Sequence, residues 1–145
     1  MISTIKPFAE LTLDELHEIL ALRCEVFIVE QQCVYLDVDG RDKQAHHLLI
    51  HEHHKLIGYA RILPFDEESM SFGRLLTAPS YRSKGLGKQL METILSYLQL
   101  HHPKQVITIT AQQYLQAFYE GFGFITKSAP FDMDGIPHLI MVKQP

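Results

Sequence analysis

The sequence predicts an α/β (α+β) domain in which one mixed, mostly antiparallel sheet is flanked by helices. Three observations carry that reading. Apolar runs of strand length alternate with helical patterns in the order α–β–β–β–α–β–α–β–β. The central helix lies between two strand-like runs, as a parallel crossover does. Two junctions, the hydrophilic EHHK at 52–55 and Asp134-Gly135, read as hairpin connections.

The first helix follows Thr12. Thr12 and Glu15 have capping-box spacing, Leu11 and Leu16 form a hydrophobic staple, and Leu13, Leu16, Ile19 and Leu20 recur at helical intervals. A polar loop over 37–44 leads to two strand runs, HHLLI and LIGYARIL, on either side of EHHK. FGRLLT ends a third strand at Thr77. The central helix carries Leu86, Leu90, Met91, Ile94, Leu95 and Leu98 on one side and stops before Pro103. VITIT at 106–110 is a β-branched strand, and QYLQAFYEGF is a short helix closed by Gly123. FITK and HLIMVK are the last strands, joined across Asp134-Gly135.

Composition narrows the class. A chain of 145 residues that is 46% hydrophobic supports one domain over 1–145 with its own core. No run reaches the ~18 apolar residues a membrane helix needs, and MISTIKPFAE has no signal-like apolar core. Two cysteines, Cys24 and Cys33, are too few for a disulfide framework, so a reduced cytoplasmic protein is expected. A formal net charge of -4 argues against nucleic acid as a partner.

Against that acidic background, the stretch YRSKGLGKQL at 81–90 stands out. Gly85 and Gly87 occupy a helix entry, where each costs up to ~1 kcal/mol relative to alanine. Arg82, Lys84 and Lys88 crowd the helix end that repels cations. Between Ser69 and Met91 there is no acidic residue, and with Arg74 the segment carries +4. Unpaired amides, backbone that a ligand can approach closely and clustered cations together make a site for a diphosphate or similar polyanion. The spacing is not that of a P-loop, since Gln89 follows Gly87-Lys88. It is not the dinucleotide fingerprint either, whose third glycine falls on Leu90.

Arg82, Gly85 and Gly87 do fit R-x-x-G-x-G a few residues beyond a strand. This resembles the pyrophosphate signature of the GNAT superfamily of acetyl-coenzyme A-dependent N-acetyltransferases. QQYLQAFYEGFGF at 112–124 is similar to the same superfamily's second signature, with Tyr119, Gly123 and Phe124 matching. Gln112 stands where an Asn is usual, and Leu115 where a small residue is usual. LRCEVFIVEQQCVYLDVDG, AHHL and DGIPH resemble its ElaA-like branch, so that the likeness runs from Leu13 to Val142.

The resemblance implies a site and a reaction. The strand ending in Leu75, Leu76 and Thr77 would splay from Val106–Thr110 and hold the pantetheine arm of acetyl-coenzyme A by its backbone. A backbone N–H near Leu76 would face the thioester oxygen. Arg82, Ser83, Lys84, Gly85, Leu86, Gly87 and Lys88 would hold the diphosphate, with Gln112 and Phe118 also on the cofactor. Tyr119 would be the general acid for the departing thiolate. The acceptor implied is an amine of a small molecule or peptide.

An ammonium with a pKa near 10.4 needs a base, for which Glu30, His46, His47, His138 and a relayed water are all open. Glu30, Asp37 and Asp39, with Asp42, form an acidic loop that would attract a cationic acceptor. No metal is expected. His47, His51 and His53 lack a further ligand at suitable spacing, and the Asp37–Asp42 loop has Leu48 where a calcium loop needs Glu. A binding-only acyl-coenzyme A sensor is the alternative, which Tyr119 argues against, and a homodimer is left open.

Overall fold

A computed structural model describes residues 1–145 and arranges eight strands in one sheet, ordered β1-β2-β3-β4-β5-β8-β6, with β7 also on β8. The strands are β1 (Ile2–Pro7), β2 (His46–Glu52), β3 (Lys55–Pro64), β4 (Ser69–Thr77), β5 (Val106–Gln112), β6 (Ile125–Thr126), β7 (Phe131–Met133) and β8 (Ile136–Lys143). The helices are α1 (Leu13–Arg23), α2 (Leu86–His101) and α3 (Gln116–Glu120). All neighbouring pairs are antiparallel except β4 with β5, which α2 connects.

The capping box at α1 forms as expected: Thr12 Oγ1 accepts from the Glu15 amide at 3.0 Å, and Glu15 accepts from the Thr12 amide at 2.9 Å. Leu13, however, is exposed, and the buried stripe runs through Ile19, Leu22, Arg23 and Val26. On α2, Leu86, Leu90, Met91, Ile94 and Leu98 are buried on the sheet, each worth ~1.5–3 kcal/mol by transfer from water. The β2–β3 hairpin turns at His53 and His54, both at positive φ, and the β7–β8 hairpin turns at Asp134 and Gly135 in the same way.

Two expectations need correction, and the structure adds one feature that the sequence did not show. The chain opens with a strand, not a helix: β1 is an edge strand paired only with β2, and Pro7 and the exposed Ile2 hide its alternation. After α1 the helix does not end but continues as a π-helical stretch, Cys24–Glu30. The Asp134-Gly135 turn joins β8 to the additional strand β7, while the FITK strand shrinks to the two residues of β6.

Candidate active site

The sheet is split at its centre. β4 and β5 pair only at Ser69–Val106 and Met70–Ile107, and beyond those positions they diverge. The cause lies on the β3 side of β4. Tyr59 pairs with Leu76 but Arg61 pairs with Gly73, so that Arg74 and Leu75 together face the single residue Ala60. This is a β-bulge, with Arg74 at φ 52°, and a bulge bends its strand. The bend opens a cleft of about 810 Å³ between the two strands. Leu75, Leu76 and Thr77 line one bank, and Ile109, Ala111 and Gln112 the other.

One end of the cleft is the glycine turn. Gly85 is the N-cap of α2 at φ 78°, and no side chain caps the helix. The first-turn amides of Leu86, Gly87 and Lys88 therefore lack capping partners and favour an anion. Ser83 is also left-handed, at φ 62°, which curls the loop. A Cβ at Gly85 would meet nothing within 4 Å, so the turn faces open space. Arg82 and Gly87 line the cleft. Lys84 lies over the Tyr81 ring at 5.4 Å, and Lys88 is exposed beside Glu92. The Leu86 side chain is core, leaving only its backbone for a ligand.

Tyr119 lies on the floor of the cleft. Its ring is wedged among Phe118, Phe124 and Phe72, with centroids 5.3, 6.0 and 6.1 Å away. Burial, helped by Tyr114, pushes its phenol above the ordinary value of 10, so the hydroxyl is neutral at pH 7. Phe118 packs beside Gly87, 3.7 Å from where a Cβ would stand. Gln112, at the end of β5, hydrogen-bonds to Gln31 at 3.3 Å.

Two of the four candidate bases reach this cleft. His138, opposite Gln112 on β8, holds the Ile136 carbonyl at 2.7 Å through Nδ1. A carbonyl only accepts, so Nδ1 carries the proton and Nε2 keeps its lone pair when the ring is neutral. Glu30, at the end of the π-helical stretch, also lines the cleft and is paired with Arg82 at 2.6 Å.

His47 and His46 are elsewhere. His47 is 0% exposed: Nε2 donates to the Asp42 carbonyl at 2.8 Å, and Nδ1 accepts from the Tyr59 hydroxyl at 2.6 Å. Burial lowers its pKa, and with both nitrogens engaged it is a structural histidine rather than a base. His46 packs at a tilt against Tyr97 of α2, with ring centroids 5.7 Å apart, and does not line the cleft.

The expectation for the acidic loop also fails on geometry. Asp37 is buried, with its side chain bonded to Arg23 at 2.9 Å and paired with Arg74 at 2.8 Å. Asp39 does border the cleft, but Arg61 holds it by two bonds of 2.7 and 2.8 Å, and Arg74 adds another at 3.3 Å. Those bonds and charges hold the Asp39 carboxyl well below its usual range. Both carboxylates are neutralised within the protein, so neither is free to attract an ammonium.

Arg23 and Arg61 are the residues that sequence reasoning missed, and Arg74, counted there among the cations for a polyanion, is instead committed to Asp37 and Asp39. With Asp37, Asp39 and Asp42 they form one ion network, three cations to three anions. It fixes the loop over 37–42 to β3 and holds the bulge at Arg74, hence the split in the sheet. Arg23 left a signal, a cation in the stripe Ile19–Leu22–Val26. The other two lie in strands, where alternation does not show a partner.

Residues 14–145 match the family model described as an acetyltransferase (GNAT) domain. The chain belongs to the GNAT acetyltransferase family. Among GNAT relatives, it is 39% identical over 140 residues to protein ElaA of Escherichia coli, covering 94% of this chain and 92% of that protein. The crystal structure of that ElaA superposes with a TM-score of 0.94 at 36% identity, covering 99% of this chain and all of the other. An acyl-CoA N-acyltransferase from Pseudomonas aeruginosa superposes at 0.93 with 37% identity and 99% coverage of both chains. GNAT membership makes the protein an acyltransferase by family, one that takes an acyl-coenzyme A. No helix is long and apolar enough to cross a membrane, and no group of three or more His, Cys, Asp or Glu is placed to hold a metal.

Proposed function

We propose that the protein is an N-acetyltransferase moving the acetyl group of acetyl-coenzyme A to a primary amine, by direct attack with both substrates bound. The domain over 1–145 would work in the cytoplasm, where its two unpaired thiols stay reduced. The observation that carries the reading is the split between β4 and β5, opening from an uncapped, cation-flanked helix end onto Tyr119. A diphosphate fits that helix end. The unpaired edge of β4 at Leu75–Thr77 suits an amide-bearing arm, which can add to it as a strand would.

At the reacting centre, a β4 backbone N–H near Leu76 that is not spent on β3 would oppose the negative charge that builds on the thioester oxygen, and one such donor is worth ~3–4 kcal/mol. His138 is the favoured base, because it lines the cleft, its Nδ1 is anchored and its Nε2 makes no hydrogen bond within the protein. It would take the ammonium proton before attack. Tyr119 would give a hydrogen bond to the departing sulfur. The acceptor, a small molecule or peptide, would enter beside Gly73, where a Cβ would meet nothing within 4 Å.

The direct test is a panel of amines incubated with acetyl-coenzyme A, with thiol release followed. At least one amine should release thiol in proportion to acetylated product. Release with no amine-dependent component would refute the transferase reading. Binding provides a separate check. At 100-fold excess over its dissociation constant, acetyl-coenzyme A should stabilise the protein by about 2.7 kcal/mol. Gly87→Val should remove that shift by intruding on the helix end. Gly85 is the poorer probe, because its positive φ would strain any substituted residue.

A further inference from the structure

The segment Glu30–Cys33, at the end of the π-helical stretch and just beyond it, lies along the cleft as a strap and touches three separate elements. Glu30 reaches the glycine turn through Arg82 at 2.6 Å. Gln31 takes a hydrogen bond from Gln112 at the end of β5, 3.3 Å long. Cys33 donates through Sγ to the Asp134 carbonyl in the β7–β8 turn at 3.2 Å.

The first contact is unlike the other two. Arg82 is the arginine of R-x-x-G-x-G, and its partner is an anion from the other side of the same cleft. Both side chains are 41% exposed, so nothing but their mutual charge holds them together. A carboxylate on that guanidinium presents two oxygens much as a phosphate does.

We propose that Glu30 is a ligand-displaced latch: its carboxylate occupies Arg82 in the free protein, and an entering diphosphate must evict it. The proposal rests on the acyl-coenzyme A reading of the cleft and adds a consequence to it. Eviction leaves a free carboxylate on the cleft wall only after the cofactor is in place. A cationic amine then meets a negative charge that the free protein hides. Cofactor and amine are thereby coupled with favourable sign, and the coupling is reciprocal.

The latch predicts an affinity gain from deleting a charge. Glu30→Gln keeps the shape, and the exposed side chain carries no packing. It should tighten binding of free coenzyme A roughly two- to five-fold, the range set by the strength of exposed ion pairs. Charge removal could also act through space, so the same change is made in an Arg82→Gln background, with calorimetric titration of all four proteins. A gain in the parent that disappears beside Arg82→Gln establishes the latch. An equal gain in both backgrounds overturns it in favour of general repulsion. No gain, or a loss, in the parent background also overturns it. If the parent binds neither coenzyme A nor acetyl-coenzyme A, the functional reading falls and takes the latch with it. If the parent binds and the variants match it, only the latch fails.

Discussion

Tyr119→Phe should lose turnover by about 10²-fold while melting at nearly the parent temperature. General acid catalysis spans roughly 10²–10⁴-fold, and two features place this case at the lower end. Burial raises the phenol above its ordinary value, whereas an alkyl thiol such as cysteine has a reference pKa of about 8.5. Full proton transfer to the thiolate is therefore uphill, and the hydroxyl contributes mainly a hydrogen bond to developing charge. The phenylalanine ring keeps the contacts with Phe72, Phe118 and Phe124, so packing is conserved. The Michaelis constant for acetyl-coenzyme A should barely change, since an interaction made only in the transition state affects turnover alone. Because the shift is upward, Tyr119 stays protonated through neutral pH, and the parent's alkaline limb from this group should lie above pH ~10. An unchanged turnover with a lowered melting temperature would make Tyr119 a packing residue and leave the thiolate unassisted.

The largest stability effect should come from Arg23→Met, far from any reacting atom. Arg23 is 0% exposed and bonds Asp42 at 2.7 Å, the Asp37 carbonyl at 2.8 Å and the Asp37 carboxylate at 2.9 Å. Methionine fills much of the volume but leaves three aspartates to two arginines. Removing one partner of a buried pair costs ~3–5 kcal/mol, a fall in melting temperature of roughly 10–20 °C for a chain of this size. Urea unfolding at pH 7 measures it. A neutral result would mean that water reaches the stranded carboxylates.

The same network fixes the response to acid. Burial alone would raise the Asp42 carboxyl, but bonds and charge from Arg23 and Arg61 override it and bring it below the usual value. The pairing of Asp39 with Arg61 does the same more strongly. With folded pKa values depressed, this stability is fully present above the unfolded value near 3.9 and drains as pH falls through the folded values. The parent should therefore weaken below about pH 4. Arg23→Met should weaken less steeply there, having already lost the pairing that protonation destroys.

By itself the sequence determined the elements whose signals are local. The capping box at Thr12 and Glu15, the apolar face of α2, the β-branched run of β5 and the Asp134-Gly135 turn each depend on neighbours within a few residues. The glycine turn from Arg82 to Gly87 was legible for the same reason, since a helix end that binds an anion needs only its own backbone and adjacent cations. The strand β1 was not, because an edge strand with a single partner needs little alternation. Only the tertiary structure decided which charges are free. Asp37 and Asp39 read as an open acidic loop until Arg23, Arg61 and Arg74, from α1, β3 and β4, are brought against them. His47 read as a base until Tyr59 and the Asp42 carbonyl enclosed it, while His138, no different in sequence, lines the cleft with only one nitrogen engaged. Protonation and charge depend on contacts between residues far apart in the chain, and those exist only after the sheet has formed.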